Sequence, residues 1–332
     1  MHTFTILPVR GLSKAPATDR TTFREDVIRG LTGTPKRLDS KYFYDAVGDK
    51  LFQDIMQLPE YYLTGCELEI LSGQTREIIH AIQAHTGDFD LVELGAGDAT
   101  KTRFLLRDLL DEGVDFTYFP IDISTNVIRS LEEYLPAELP ALRYKGLNGE
   151  YFEMLRAAGA LSRKHKVVLL MGANIGNFHP AEALQFCQAI REQLQPGDLL
   201  LIGFDLKKDP RVILEAYNDR QGVTKAFNLN LLTRINRELG ADFHLDDFEH
   251  FPTYDPLSGS CKSYLFSKRA HQVHIGKTVI DFEDNEPVYM EISQKYSLQD
   301  AEQMALAAGF KPLVAFQDSR GWFADCLWGV VG

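Results

Sequence analysis

The stretch LVELGAGDATKT, Leu91 to Thr102, runs from an apolar strand through a tight glycine turn directly into a helix. A strand that is apolar on both faces must be covered on both, and helices packed over a parallel sheet are the usual way to do it. The chain downstream supplies the partners. DFTYFPIDIS is followed by the helix-like TNVIRSLEEYL, then by a weaker strand around ALRYKG. KHKVVLLMGANIGN is a strongly apolar strand ending in a Gly/Asn turn, PAEALQFCQAIREQL an amphipathic helix, and GDLLLIGFDL another buried strand. This alternation predicts an α/β fold with helices on both faces of a parallel sheet. The closing FKPLVAFQDSRGWFADCLWGVVG reads as two strands joined by a turn.

Two regions break the rhythm. The first 70 or so residues are mostly helical and carry an aromatic cluster, KYFYDAVGDKLFQDIMQLPEYYLTGCELEIL. From about residue 210 to 295 the chain begins helical and then alternates like β-structure in SCKSYLFSKRAHQVHIG and TVIDFEDNEPVYMEIS. An α/β domain over 66–208 and 296–332, joined to a second domain built from 1–65 and 209–295, accommodates both. At 332 residues, 45% apolar and 25% charged, the chain has material for a substantial core. Its net charge of -12 argues against an extended nucleic-acid surface. MHTFTILPVR lacks the basic region and apolar core of a signal peptide, no run is long enough for a membrane span, and the four cysteines are scattered without metal-ligand spacing. The expectation is a cytoplasmic protein with reduced thiols, no metal, and a small-molecule substrate; nothing in the sequence identifies a protein partner.

A glycine turn after a first strand can hold a dinucleotide, a nucleoside triphosphate or S-adenosylmethionine. Gly95 and Gly97 give GxG, but Thr100 stands where the third glycine of a dinucleotide fingerprint would be. A Walker A loop needs Gly-Lys-Ser/Thr, and Thr100-Lys101-Thr102 has no preceding glycine. Glu93 precedes the turn by two residues, where a carboxylate favours a ligand carrying an ammonium and a sulfonium. Asp122, at the end of the next strand, is placed to accept from two ribose hydroxyls. Glu93, Gly95, Gly97 and Asp122 in consecutive βα units resemble the cofactor motif of class I methyltransferases, whose Rossmann-like parallel sheet closes with a terminal antiparallel strand. S-adenosylmethionine is favoured over nicotinamide.

Ligands of open α/β sheets sit outside the carboxyl ends of the strands. There the chain has MGANIGN, Met171 to Asn177, and no Asn/Asp-Pro-Pro-Tyr motif. Gly172 lets a ligand approach the backbone, and Asn174 and Asn177 offer donors and acceptors, although an asparagine in a turn is commonly there for its tolerance of left-handed backbone. PKRLDSKYFYDAVGDKLFQDIMQLPEYYLTGCELEIL, LVELGAGDATKTRFLL, MGANIGNF, AYNDRQGVTKAFNLNLLTRINRELGADF and MEISQKYS together resemble the histidine-specific Nα-methyltransferases, which form hercynine on the way to ergothioneine. The likeness runs from about Pro35 to the C-terminus.

Position by position, the resemblance implies that Tyr44 and Tyr61 line the substrate pocket. Gly172, Asn177 and Tyr217 would hold the ammonium and carboxylate, and Glu291 and Ser293 the imidazole. Tyr44 and Asn177 are the candidate catalytic residues. On the cofactor side it implies Gly95, Lys101 and Asp122, with Glu150 and Tyr151 as an acidic–aromatic pair near adenine. Read without the resemblance, the tyrosines are ordinary core residues with satisfied hydroxyls. Ser263 stands where many relatives carry Met, and GANIGN replaces the more usual GSTIGN, so the side-chain pocket is expected to be wider or wetter. The implied reaction is in-line methyl transfer to the α-amino nitrogen, repeated up to three times. Rival readings are the same chemistry on another amino acid or amine, a protein that binds S-adenosylmethionine without turnover, and an NAD oxidoreductase.

Overall fold

The computed structural model describes residues 20–331, so the first 19 residues of the expected 1–65 segment, MHTFTILPVR among them, and Gly332 lie outside the described residues. The chain starts with helix α1 (Arg20–Thr32), a two-residue strand β1 (Lys36–Arg37), and helices α2 (Ala46–Met56), α3 (Tyr62–Gly73) and α4 (Thr75–Gln83). Strands and helices then alternate: β2 (Phe89–Leu94), α5 (Thr102–Asp111), β3 (Thr117–Asp122), α6 (Thr125–Glu138), β4 (Arg143–Tyr144), β5 (Leu147–Asn148), α7 (Tyr151–Leu161), β6 (His165–Leu170), α8 (Pro180–Arg191) and β7 (Leu199–Asp205). Helices α9 (Pro210–Ala216) and α10 (Val223–Leu239) lead into β8 (Phe248–Asp255), β9 (Ser260–Ser267), β10 (His271–Ile275), β11 (Thr278–Phe282) and β12 (Pro287–Gln294). The chain closes with α11 (Leu298–Ala307), β13 (Phe310–Gln317) and β14 (Phe323–Val330).

The eight-stranded sheet has the order β13-β14-β7-β6-β2-β3-β4, with β5 also on β3. Strands β7, β6, β2 and β3 run parallel, and β14 enters antiparallel to β7. The class I methyltransferase architecture read from the sequence is the one observed. Every residue of β2 is buried and every residue of β7 as well, because helices cover both faces. Leu91, Leu105, Leu106 and Val167 pack on one side with α3 and α4; Val92, Val168, Phe186 and Trp328 pack on the other.

The second sheet has the order β1-β12-β9-β8 and alternates buried and partly exposed residues along β9 and β12. One face is therefore core and the other open. Its core gathers Phe23, Tyr42, Phe43, Phe227, Phe248, Leu265 and Met290, bringing α1, α2 and α10 onto the sheet. The aromatic cluster of the N-terminal segment thus folds against residues some 200 positions away. Tyr61 packs against both this core and that of the large sheet. A 3-10 turn, Asn174–Asn177, leaves β6 and lies on β12; a Cβ at Gly176 would stand 2.9 Å from the Gln294 carbonyl oxygen.

Candidate active site

At the cofactor turn, Gly95 and Gly97 have φ of +75° and +54°, a region that side chains disfavour. A Cβ on Gly95 would lie 2.6 Å from the Tyr151 hydroxyl, whereas one on Gly97 would meet nothing within 4 Å. The turn is therefore closed on one side by Tyr151 and open on the other. Asp122 Oδ1 accepts from Ser124 N–H at 2.9 Å and Oδ2 from Gly97 N–H at 3.3 Å, which leaves lone pairs on both oxygens. Tyr151 opens α7, and Glu150 is its exposed N-cap residue.

Glu93 sits differently from the sequence expectation. It is 3% exposed beneath the turn, accepting from Thr102 Oγ1 at 2.6 Å and from the Tyr118 hydroxyl. Burial pushes its pKa up to about 7 against those two hydrogen bonds. It braces the loop rather than facing an opening. The carboxylate that reaches the loop is Glu67 of α3, which sequence reasoning missed. Its Oε1 accepts from Gly172 N–H at 2.6 Å and its Oε2 pairs with Lys101. Burial pulls the Lys101 ammonium down, and Glu67 more than offsets it, so the pKa ends raised. Glu67 was findable: Leu63, Glu67 and Ile70 recur at helical spacing on the buried face of α3. Asp325, on β14, is also fully buried near Glu67, and burial holds its pKa well above the usual range.

The acceptor residues come from six segments of the chain. Tyr61, at the N-terminus of α3, and Tyr217, at the C-terminus of α9, lie edge to face with ring centres 6.2 Å apart. The Tyr217 hydroxyl and Ser293 Oγ are 2.7 Å apart. Tyr44 packs its ring against Phe52 and Phe227 at 5.7 and 5.8 Å. Burial raises the pKa of Tyr44, Tyr61 and Tyr217, so all three remain neutral hydroxyls. After burial, the charge of Glu291 contributes to raising Tyr44 and that of Asp122 to raising Tyr151. Gly172 and Asn177 are exposed at the rim, on the backbone leaving β6.

Glu291 faces Ser263 across β12 and β9, immediately after a bulge between Tyr289 and Glu291. Burial pushes the Glu291 carboxyl up to about 7, opposed by Ser263, Lys295 and Asn228. Ser263 is 2% exposed, and His250 Nε2 lies 3.5 Å from its oxygen. Behind this pair, Asn228 Oδ1, Thr224 Oγ1 and His250 Nδ1 are buried without a hydrogen-bond partner. His250 is held neutral, its pKa pulled down to about 4 by burial and the charge of Lys225. Ser263 therefore belongs to a polar patch rather than an apolar wall. Lys295, next on the same face after Glu291 and Ser293, was also missed; the two-residue period of a strand was the available signal.

Among the described residues no helix is long and apolar enough to cross a membrane, and no group of His, Cys, Asp and Glu is arranged to hold a metal. Residues 23–330 match the family model described as histidine-specific methyltransferase, SAM-dependent. The chain is 38% identical over 306 residues to the histidine N-alpha-methyltransferase of Mycolicibacterium smegmatis, covering 92% of this chain and 94% of that one. It is 36% identical, at the same coverages, to the enzyme of that name from Mycobacterium tuberculosis. A 4-dimethylallyltryptophan N-methyltransferase of Claviceps fusiformis is 30% identical over 88% of this chain and 87% of its own.

Proposed function

Because the chain belongs to the histidine-specific, S-adenosylmethionine-dependent methyltransferases, we propose that it methylates the α-amino nitrogen of L-histidine, up to the trimethylated betaine hercynine. S-adenosylmethionine, when bound, supplies a methyl group on a sulfonium, so the leaving group is already in place. The residues present fit such a donor. Gly97 faces open space, Asp122 keeps acceptor capacity for a ribose diol, and Tyr151 stands beside the glycine turn. Gly95, Gly97, Lys101, Asp122, Glu150 and Tyr151 are the proposed donor-binding residues, with Glu93 as their support. In this reading 66–208 and 296–332 hold the donor, while 1–65 and 209–295 supply most of the acceptor pocket.

The observation that carries the substrate assignment is Glu291. A half-buried carboxylate, two residues from Ser293 and facing Ser263, is suited to a ring that presents N–H donors. Gly172, Asn177 and Tyr217 would take the amino and carboxyl groups, and Tyr44 and Asn177 would orient the nitrogen. The tyrosines keep their own protons, so none is a strong base. The amine, an α-amino group of the kind that titrates at about 8 in model peptides, loses its proton to solvent at the rim, where Gly172 and Asn177 are exposed. What the residues contribute is orientation, which by itself supplies several kcal/mol. The Tyr61–Tyr217 ring pair favours an increasingly substituted ammonium through cation–π contact. The four cysteines are free and buried, which supports a reducing, cytoplasmic setting.

A second reading, the same transfer to another amino acid, draws on Ser263 and the unpartnered polar atoms behind it. The test is mass spectrometry of the protein incubated with S-adenosylmethionine and an equimolar amino-acid mixture. Histidine alone gaining up to three methyl groups supports the proposal; a different amino acid gaining them overturns the histidine assignment and points to the Ser263 side of the pocket.

A further inference from the structure

Asp205, at the end of β7, is 1% exposed, and two lysines converge on its carboxylate. Lys208 pairs with Oδ1, and its Nζ also donates to the Tyr62 hydroxyl at 2.9 Å. Lys295 Nζ lies 2.7 Å from Oδ2, and the residue is 0% exposed. Tyr62 donates to the same carboxylate at 2.9 Å. Lys295 also acts on the Glu291 carboxyl, so two ammonium groups face two carboxyls here, and an interior charge cluster of this kind is stable only while each group keeps its partners.

The other contacts of Lys295 are two hydroxyls of the acceptor site. Its Nζ donates to the Tyr217 hydroxyl at 2.7 Å and to Ser293 Oγ at 2.8 Å, and lies 4.5 Å from the Tyr217 ring centre. An ammonium only donates, so it occupies a lone pair on each hydroxyl oxygen. The two hydroxyls, 2.7 Å apart, share one further hydrogen bond. One of their two protons is engaged there, and the other is left to point away from the lysine. A donor O–H whose oxygen is held by an ammonium is complementary to an anionic oxygen.

We propose that Lys295 is the positioning residue that makes this recess select a carboxylate, so that the methyl acceptor is an α-amino acid and not its decarboxylated amine. Lys295 acts through Tyr217 and Ser293, fixing which of their protons is available and supplying the charge behind them. The proposal rests on the reading above only in that Tyr217 and Ser293 line the acceptor pocket.

The experiment compares steady-state methylation of histidine and histamine by the wild type, by K295M and by the double variant D205N/K295M, with S-adenosylmethionine affinity measured by calorimetry. In the variants we expect KM for histidine to rise about 10- to 100-fold, the loss typical of a hydrogen-bonded charge, with a smaller change in kcat. The preference for histidine over histamine should shrink by the same factor, and cofactor affinity should stay at the wild-type level. The double variant removes both ends of the ion pair, so the outcome does not depend on a stranded Asp205 charge being tolerated. A wild type that methylates histamine as readily as histidine overturns the proposal without any variant. So does either variant if it binds the cofactor and keeps the wild-type KM and preference. If the wild type methylates a different amino acid, the histidine assignment fails, and the same comparison with that amino acid's decarboxylated amine still decides the role of Lys295.

Discussion

Glu291 has a titration that activity can report. Burial pushes its carboxyl up to about 7, so near neutrality the free protein holds both forms, and only the ionised one accepts from ring N–H groups with both oxygens. Because kcat/KM follows the groups of the free enzyme, we expect the histidine profile to show an ascending limb centred at about 7. In E291Q that limb should vanish and kcat/KM should fall about 10- to 100-fold. Ser263 favours the ionised form, so S263A should move the limb to higher pH. A limb that stays in place in E291Q belongs to the substrate ring or amine, and the role given to Glu291 then fails. At this scale the sequence was only partly legible. Tyr44, Tyr61, Tyr217, Glu291 and Ser293 lie on four segments, and no spacing rule joins them; the family likeness did. His250 and Asn228 gave no signal, because a lone polar residue on an apolar face looks the same whether or not it borders a pocket.

Two elements fix the site, and each has a glycine that tests it. The turn Asn174–Asn177 lies against β12, where a Cβ on Gly176 would approach the Gln294 carbonyl oxygen to 2.9 Å. We expect G176A to shift the turn, lower the histidine methylation rate, and cost about 1–3 kcal/mol in urea unfolding, as overpacking does. Cofactor affinity should fall less than the rate, because only Asn174 of this turn reaches the glycine loop, its Nδ2 3.9 Å from where a Gly95 Cβ would stand. G95A combines a φ of +75° with a contact of 2.6 Å to the Tyr151 hydroxyl, and calorimetry should show the affinity for S-adenosylmethionine largely lost. The parallel strands were readable as apolar runs between helical stretches, and the final hairpin by its turn. The two-residue strands β4 and β5 were not separable by pattern, because so few residues carry no period. Helix α7 went unread: its N-cap, Glu150, makes no side-chain capping hydrogen bond.

Over the whole molecule, buried titrating groups pull stability in opposite directions. Glu93 rises from an ordinary 4.5 to about 7, so between those values the folded protein keeps a proton that the unfolded chain releases. Stability therefore falls as pH increases through that window, and Glu291 acts in the same sense. His250 drops from 6.5 to about 4; there the unfolded chain binds the extra proton, and stability increases with pH. Thermal or urea melts of E93Q should lose a decline of roughly 1–3 kcal/mol between pH 4.5 and 7, while H250N should lose the acid-side weakening below 6.5. An E93Q curve parallel to the wild type would remove Glu93 from this account. A second sheet beside the parallel one was visible as a break in the βα rhythm, but not that Tyr61 would pack against the cores of both. Residues 291, 293 and 295 project from one side of a single extended segment. A deletion or insertion of one residue there would turn those beyond it to the opposite face. Changes of substrate are therefore open to this pocket through exchanges of single letters, and closed to changes in the length of the word.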